Sequence, residues 1–405
     1  MQAAELADMV SRDAALRRRR RLQPVGGQGD KIFPPTYPGE GRNPAPRHVY
    51  ERRRRPEGEV WCVLVDSVQS QANRLEEALL SAAKDGIAEI PYVRVDFRNR
   101  GIEGIEFVTS LDAPHRVYDA ILRDSLLDGT PFMECATGRL LARGDPASIL
   151  EISPNALLFG AWHSTGEGGG IGAKFARCLV SEIVAVDVPV DEVPNARTGE
   201  IDVRTAGRRT GSRMDPLGVL RKVEVYKGEK GWDVDAAGVG KKATKVRPSE
   251  INHGNIAPTV DPLGITCDHL EHTVVLSFAA LRRLRFGSPA KDAAGRTLLA
   301  ALGLLAIAEQ DARGYALRSR CDLVCDGPSG LECVHPDGST RAIEIDVNNA
   351  RRLYAEAAAG ARAAGFQLAP KPVDLLPQDK LVAIVRRSQD LALQGEGGEA
   401  EGTGA

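Results

Sequence analysis

The stretch that decides the fold is EVWCVLVDSVQSQANRLEEALLSAA, residues 59–83. Its first eight residues form an apolar run of the kind that fills a buried strand, and the remainder spaces its leucines and alanines at a helical period. Asp66 or Ser67 is suited to cap this helix at its N-terminus. The sequence therefore predicts a strand that leads directly into a helix.

Further strand and helix patterns lie along the rest of the chain. Strands are predicted at residues 91–97, 156–161, 177–188, 221–226, 272–278 and 380–386, and helices at residues 114–127, 293–313 and 348–364. The strands outnumber the helices and do not alternate with them as they do in a doubly wound sheet. The predicted fold class is therefore α+β, with an antiparallel sheet and large insertions.

The predicted organisation has three parts. They are a basic helix (residues 3–22) with a Pro/Gly-rich arm inside residues 1–58, a core at 59–390 with insertions at about 191–218 and 228–265, and a disordered tail at 391–405. The arm has no helical or strand period. We expect deletion of residues 1–46 to leave the fold intact. The arginine blocks at 17–21 and 52–55 are either phosphate contacts or solvated charge runs.

Composition limits the class of protein. The chain has 405 residues, 42% of them hydrophobic, which is enough for a sizeable core. Its apolar runs are shorter than the roughly 20 residues that a membrane span needs. Seven scattered cysteines are typical of a reducing compartment, so a cytoplasmic protein without membrane contact is expected. A net charge of −2 argues against a surface that is basic throughout.

The predicted helix begins with a polar face. Ser67, Ser70, Gln71 and Arg74 fall at i, i+3, i+4 and i+7, so they share one side of the first two turns. The free amides of a helix N-terminus favour an anion. A phosphate contact and a solvated face with a serine cap both explain the pattern.

A glycine cluster follows in LLFGAWHSTGEGGGIGAKFARCLVSEIV, residues 157–184, which places six glycines between Gly160 and Gly172. The spacing lacks the Lys-Ser/Thr ending of a nucleotide-binding P-loop, and a strand follows where a dinucleotide fingerprint needs a helix. Glycines allow the backbone to approach a ligand closely. A phosphate-binding loop and a plain hairpin connection both remain open.

A third segment, RTAGRRTGSRMDPLG at residues 204–218, combines arginine, hydroxyl and glycine residues. Such groups bind sugar-phosphate chains. Aromatic residues make up only 5% of the chain, so base stacking along a strand is not expected. We predict that the three segments converge on the phosphate backbone of a nucleic acid and leave its bases free to pair.

Several blocks together resemble a known family. They are LQPVGGQGDKIFPPTYPG, VLVDSVQSQANRLEEAL, SPNALLFGAWHSTGEGGGIGAKFARCLVSEIV, RTGSRMDPLG and LSFAALRRLRF, between residues 22 and 286. The order and the amino-acid sequences of these blocks resemble those of the backbone subunit of the type I-G (formerly I-U) CRISPR surveillance complex. The resemblance implies a RAMP protein with a modified RRM-like, ferredoxin-like palm and thumb and finger insertions, and we assign the thumb to residues 191–218.

The resemblance also implies partners and a function without catalysis. Copies of the chain polymerise along one CRISPR RNA and present its spacer to target DNA. The large subunit, the guide-processing subunit and the helicase-nuclease are further partners, and no cofactor is implied. The RNA-binding residues carried over from the family are Ser67, Gln69, Ser70, Gln71, Asn73, Arg74, Trp162, Ser164, Thr165, Gly166, Lys174, Arg177, Arg208, Arg209, Thr210, Ser212 and Arg213. His163 stands where the family has an acidic residue.

The sequence also contains candidate residues for three other kinds of site. A ribonuclease that cuts target RNA needs clustered carboxylates, for which Asp66, Asp96, Asp187 and Asp215 are the candidates, although strand-end caps and turns also explain them. His115, His163 and His253 have no spacing that implies one catalytic site. The set Cys321, Cys325, Cys333 and His335 has zinc-ligand types, but its spacing favours buried small side chains.

Overall fold

The computed structural model describes residues 1–38, 47–56, 58–163, 172–194, 201–327 and 330–393. The chain forms two compact units. The first comprises Met1–Gln28, Leu64–Val186 and Asp268–Ala383, and the second comprises Gly29–Val63, Asp187–Cys267 and Ile384–Ala405, as far as these ranges are described. None of the described helices combines the length and the apolar composition that crossing a bilayer requires.

The helices are mostly short, apart from four of fifteen residues or more. They are α1 (Ala3–Arg12), α2 (Val68–Lys84), α3 (Ala120–Arg123), α4 (Ala136–Ala142), α5 (Pro146–Ile152), α6 (Asn155–Leu158), α7 (Phe278–Leu281), α8 (Pro289–Arg313), α9 (Val347–Ala363) and α10 (Asp379–Leu393), with 3-10 turns at Arg116–Tyr118, Phe132–Glu134 and Pro248–Ile251.

The strands are likewise short. They are β1 (Ala15–Pro24), β2 (Tyr50–Arg55), β3 (Gly58–Asp66), β4 (Val93–Asp96), β5 (Phe107–Thr109), β6 (Ser125–Leu127), β7 (Thr130–Pro131), β8 (Ala161–Trp162), β9 (Lys174–Phe175), β10 (Leu179–Val186), β11 (Val190–Pro194), β12 (Ile201–Thr205), β13 (Arg209–Arg213), β14 (Val225–Gly228), β15 (Gly231–Asp233), β16 (Thr244–Val246), β17 (Ile256–Asp261), β18 (His269–Ser277), β19 (Tyr315–Arg318), β20 (Cys321–Cys325), β21 (Leu331–Val334), β22 (Thr340–Ile343) and β23 (Val373–Pro377).

The first unit is built on an antiparallel sheet with the strand order β20-β1-β18-β10. In chain order, β1, α2, β10, β18, α8 and β20 give the β-α-β-β-α-β succession of a ferredoxin-like fold. Helices α2 and α8 pack against each other. The predicted α+β class with an antiparallel, ferredoxin-like palm is therefore confirmed.

The core of the first unit centres on α8. Its residues from Thr297 to Gln310 are buried, because an apolar composition on all sides suits a helix that is surrounded by protein. A Cβ at Gly303, in the middle of this helix, would lie 3.5 Å from Leu276 of β18 and 3.6 Å from Leu158 of α6. A second, mixed sheet with the order β5-β4-β23-β6-β7 also belongs to this unit.

The second unit consists of small antiparallel sheets. Strand β2 pairs with residues Gly58 to Val63 of β3, β11 pairs with β12, β13 pairs with β17, and β14 lies between β15 and β16. Both insertions expected from the sequence, at about 191–218 and 228–265, fall within this unit. The hairpin of β11 and β12 lies inside the segment that we assigned to the thumb.

The N-terminal region differs from the prediction. Helix α1 ends at Arg12, and the arginine run that was expected to be helical lies in β1, between β18 and β20. Leu16 and Leu22 are buried at its two ends. Deletion of residues 1–46 removes this central strand and is therefore expected to prevent folding, contrary to the expectation from the sequence.

Four further secondary-structure predictions were wrong or partly wrong. The strand expected at 221–226 begins only at Val225, the first residue of β14. Residues 156–161 were expected to form a strand, but Asn155–Leu158 is a helical turn followed by the start of β8. The run at 380–386 lies in α10 and is not a strand. The helix expected at 114–127 is split into a 3-10 turn, the short α3 and strand β6.

Candidate nucleic-acid interface

The start of α2 is organised by a buried carboxylate. Ser67 caps the helix by accepting a hydrogen bond from the Ser70 amide. Asp66, which is fully buried, accepts hydrogen bonds from Ser70 Oγ at 2.8 Å, Gln71 Nε2 at 2.6 Å and Arg74 Nε at 2.9 Å. These three side chains therefore turn inward towards Asp66.

A second arginine completes this cluster. Arg318 of β19 donates to the Asp66 carboxylate at 3.3 Å and to the Val65 carbonyl at 2.8 Å, and Arg74 donates to the Leu317 carbonyl at 2.7 Å. Two guanidinium groups thus share one buried carboxylate. Of the predicted contact residues on this helix, Gln69 and Asn73 are exposed.

Below the Asp66 cluster, a polar network runs into the core. Ser181 Oγ donates to Gln71 Oε1 at 2.8 Å and lies 2.8 Å from His272 Nε2. Gln310 Nε2 is 3.4 Å from the same Gln71 oxygen. Burial lowers the pKa of His272 well below its usual value, so the imidazole is neutral near pH 7.

This buried imidazole leads to a prediction on pH. The folded pKa of His272 is depressed, so below about pH 6.5 the unfolded chain binds a proton that the folded chain does not. The free energy of unfolding is therefore expected to fall with decreasing pH, by up to about 1.4 kcal/mol per pH unit from this group. Urea unfolding of the wild-type chain and of His272→Gln at pH 7.5 and 5.5 tests this. Equal pH dependences of the two chains would contradict it.

The glycine segment begins as a hairpin anchored to α2. Strand β8 pairs with β9, so that Trp162 lies opposite Lys174. A Cβ at Gly172 would meet the His163 carbonyl oxygen at 1.7 Å, so only glycine allows this close approach of the two arms. Arg116 joins the hairpin to the helix, because it donates to the Gly160 carbonyl at 2.9 Å and pairs with Glu76 of α2 at 2.7 Å.

The hairpin presents one aromatic ring and one ammonium group to solvent. Trp162 is 54% exposed, and Lys174 Nζ lies 5.8 Å from the centre of its ring, within cation–π range. Arg177 instead donates to the Phe159 carbonyl at 3.2 Å, and burial lowers its pKa. Ser164, Thr165 and Gly166 lie outside the described residues.

His163 points into the protein. It is buried and stacks on Tyr118, with ring centres 5.0 Å apart. Burial, together with the charge of Arg123, lowers the pKa of this imidazole. A neutral, buried ring at this position does not act as a solvent-facing acid or base.

The RTGSR segment belongs to the second unit. It forms β13, where Arg209 pairs with Asp261 at 3.4 Å and the preceding Arg208 pairs with Asp191 at 2.9 Å. Arg208, Arg209, Thr210 and Ser212 are exposed. Arg213 is half-buried and donates hydrogen bonds to the backbone carbonyls of His253 and Gly254.

The structure therefore brings two of the three predicted segments together. The start of α2 and the base of the glycine hairpin belong to the first unit and are joined through Glu76 and Arg116. The RTGSR segment lies in the second unit. That all three converge on one strand stays a prediction.

The first arginine block is largely neutralised by carboxylates. Arg18 and Arg20 both pair with Asp311 of α8. On the other side of β1, Arg17 pairs with Glu332, Arg19 with Glu271 and Arg21 with Asp268. In the second block, Arg52 lies 4.7 Å from the Trp61 ring centre and pairs with Glu192. The first block and Arg52 of the second block are therefore strand residues with acidic partners.

The proposed metal ligands do not assemble as the alternatives require. Within the described residues, none of the four candidate aspartates belongs to a group of three potential ligands. The one such group combines Asp13, Cys333 and His335, whose ligand atoms lie within 4.8 Å of one another. Cys333 Sγ and His335 Nδ1 are hydrogen-bonded to the Asp13 carboxylate at 3.1 and 2.7 Å. Cys321 and Cys325 are not part of the group.

Sequence reasoning assigned Asp66 to a cap or a metal site and missed its role in the structure. The signal was an aspartate at a strand end followed by Ser70, Gln71 and Arg74, the donors that a buried carboxylate requires. The role of Glu76 could not be predicted from the sequence, because its partners Arg116 and Asn155 are far away along the chain.

Part of the chain is similar to a known protein family. Residues 16–190 match the family described as CRISPR-associated protein GSU0053. No curated protein matches the chain. Among solved structures, the crystal structure of Thermofilum pendens Csc2 is similar with a TM-score of 0.26 and 10% sequence identity, over 96% of this chain and 80% of that chain. The matched residues contain most of β1, all of α2 and the glycine hairpin, and this part of the chain is similar to the CRISPR-associated family.

Proposed function

We propose that the chain is a non-catalytic subunit of a type I-G CRISPR complex that polymerises along the CRISPR RNA and presents the spacer for pairing with foreign DNA. The observation that carries this proposal is the match of residues 16–190 to a CRISPR-associated family. The ferredoxin-like sheet and the exposed basic and hydroxyl residues support it. Such a complex works in the cytoplasm, together with the large subunit, the guide-processing subunit and the helicase-nuclease.

The exposed side chains favour contact with the sugar-phosphate backbone. Lys174 and Arg209 supply positive charge, and Gln69, Asn73 and Thr210 supply hydrogen-bond donors. Donors of this kind bind phosphates without reading sequence, so they leave the base edges free. The buried Gln71 and the half-buried Ser70 and Arg74 then support the shape of the surface by holding the start of α2.

Co-expression of the full-length chain with a CRISPR array tests the proposal. We expect RNA of uniform length to co-purify with the protein, and nuclease digestion to leave fragments protected at regular intervals. Native mass spectrometry should find several copies of the chain per RNA. Absence of bound RNA, or one copy per RNA whatever its length, would overturn the proposal.

The absence of catalysis needs its own experiment. Purified complex is incubated with RNA complementary to the guide, with and without Mg²⁺ or Mn²⁺. We expect no cleavage, because Asp66 and Asp96 form ion pairs with arginines. Asp215 accepts hydrogen bonds from the backbone amides of Leu217 and Gly254. Metal-dependent cleavage that is lost in Asp215→Ala or Asp187→Ala would contradict this.

Removing two of the side chains that we propose to bind the sugar-phosphate backbone gives a further prediction. Lys174→Ala with Arg209→Ala is expected to weaken binding of any RNA sequence about 10- to 30-fold near 0.1 M salt, and to reduce the slope of log affinity against log salt by about 1.4. Fluorescence anisotropy with two unrelated RNA sequences measures both effects. Lys371→Ala, an exposed lysine outside the predicted interface, serves as control. A loss confined to one sequence would indicate base reading instead.

A further inference from the structure

The lysines of this chain are concentrated in one small part of it. Six of the twelve lysines lie within residues 222–245, in a chain where arginine otherwise supplies most of the positive charge. All six are exposed. Residues 221–247 contain eight basic and four acidic residues, a net charge of +4 in a chain whose net charge is −2. The segment therefore differs in charge from the rest of the molecule.

This segment forms the three-stranded sheet of β14, β15 and β16. In the register of these strands, Lys227 lies directly opposite both Trp232 and Thr244. Directly opposite residues of an antiparallel pair have side chains on the same face, close enough to touch. Trp232 is 51% exposed. Trp232 and Lys227 thus project from the same face of the sheet.

The other charges of the sheet are arranged differently. Lys245 lies opposite Tyr226, on the face that does not carry Trp232, and pairs with Glu224. Lys227 makes no ion pair with any described residue. The face with Trp232 therefore keeps its positive charge available to a ligand, whereas the opposite face is partly neutralised.

The same face continues towards the RTGSR segment. The His253 ring contacts the Trp232 ring edge-on, with ring centres 5.5 Å apart. Arg213 of β13 donates to the backbone carbonyls of His253 at 3.0 Å and Gly254 at 3.1 Å. Trp232, His253 and Arg213 thus form a continuous series of contacts within the second unit. It joins the lysine-rich sheet to residues that we propose to hold RNA.

We propose that Trp232 and Lys227 bind a single-stranded nucleic acid, with one base stacked on the indole and the neighbouring phosphates held by Lys227 and the other exposed lysines. An exposed indole amid positive charge is the combination by which proteins hold single strands without regard to sequence. Trp232 leaves 51% of its surface in water, and a stacked base would bury ring surface that the fold itself leaves exposed. The inference rests on the proposed function for the identity of the strand, which is guide RNA or target DNA.

The test uses the full-length chain with Trp61 and Trp162 replaced by phenylalanine, so that Trp232 is the single fluorophore. Oligo(U) RNA and oligo(dT) DNA are the probes. We expect the protein to bind these oligonucleotides, and the bound oligonucleotide to quench the indole fluorescence of Trp232. In the wild-type background, Trp232→Ala should weaken binding about 5- to 100-fold without changing the salt slope, whereas Trp232→Phe retains most of the affinity. Lys227→Ala should instead reduce the slope by about 0.7.

Two controls separate this inference from its alternatives. Val234→Ala, which truncates an apolar side chain of the same segment that is 65% exposed, should leave affinity and fluorescence unchanged. Co-purification of guide RNA with Trp232→Ala reports on the proposed function separately. Unquenched Trp232 fluorescence at saturation together with wild-type affinity of Trp232→Ala would overturn the inference even where guide RNA is retained. Quenching by RNA alone assigns the surface to the guide, and quenching by DNA alone assigns it to the target strand.

Discussion

Replacing Asp66 by alanine is expected to lower the free energy of unfolding by about 3–5 kcal/mol. The carboxylate is fully buried between Arg74 and Arg318, with side-chain exposures of 21% and 18%. Its removal leaves two poorly solvated guanidinium groups without their counter-charge and leaves the Gln71 amide without its acceptor. Urea denaturation followed by far-UV circular dichroism measures the loss.

Asp96 provides a matched control for this variant. It also ends a strand and pairs with an arginine, Arg98, but that arginine side chain is 54% exposed. Because water screens an exposed pair, Asp96→Ala is expected to cost no more than about 1 kcal/mol. Equal losses in the two variants would show that burial of the Asp66 cluster does not determine its contribution to stability.

Replacing Glu76 by alanine is expected to have an effect of similar size, about 3–5 kcal/mol. Glu76 accepts two hydrogen bonds of 2.7 Å from Arg116 and one of 2.8 Å from Asn155, and its side chain is 2% exposed. Its loss leaves the buried guanidinium of Arg116 uncompensated. Because Arg116 also holds the Gly160 carbonyl, we expect the glycine hairpin to become more accessible to limited proteolysis.

Two variants make this prediction specific. Glu77→Ala removes the adjacent carboxylate, which is exposed on the same helix, and should change stability by less than about 0.5 kcal/mol. The double variant Glu76→Met with Arg116→Met removes both charges and should lose less stability than Glu76→Ala, since neither group is left buried alone. A double variant that is less stable than Glu76→Ala would contradict the electrostatic explanation.

Much of the fold followed from local patterns. The strand before α2, the N-cap at Ser67 and helices α8 and α9 were predicted to within a few residues of their observed bounds, because periodicity and capping act over short distances in sequence. The run LVAIV within α10 was misassigned as a strand. Its β-branched residues favour a strand, but the helix of fifteen residues around it has the stronger amphipathic period.

The candidate interface was predictable in composition and less so in geometry. Trp162, Lys174, Arg208 and Arg209 are exposed as expected, since glycine-rich and basic segments remain at the surface. Trp232 was not singled out. Low aromatic content argued against stacking, yet a single exposed ring is enough for one base, and its position opposite Lys227 depends on strand register.

By itself, the sequence determined the α+β class, the strand that leads into α2 and the segments rich in glycine, arginine and hydroxyl groups, because these depend on local propensity and composition. Only the tertiary structure decided that the arginine run is a central strand and that Ser70, Gln71 and Arg74 serve Asp66. Five consecutive arginines conceal the alternation of a strand. The face of the sheet to which each arginine side chain points depends on carboxylates such as Asp311, almost 300 residues away in the sequence. A charged group leaves water only where the fold supplies its partner.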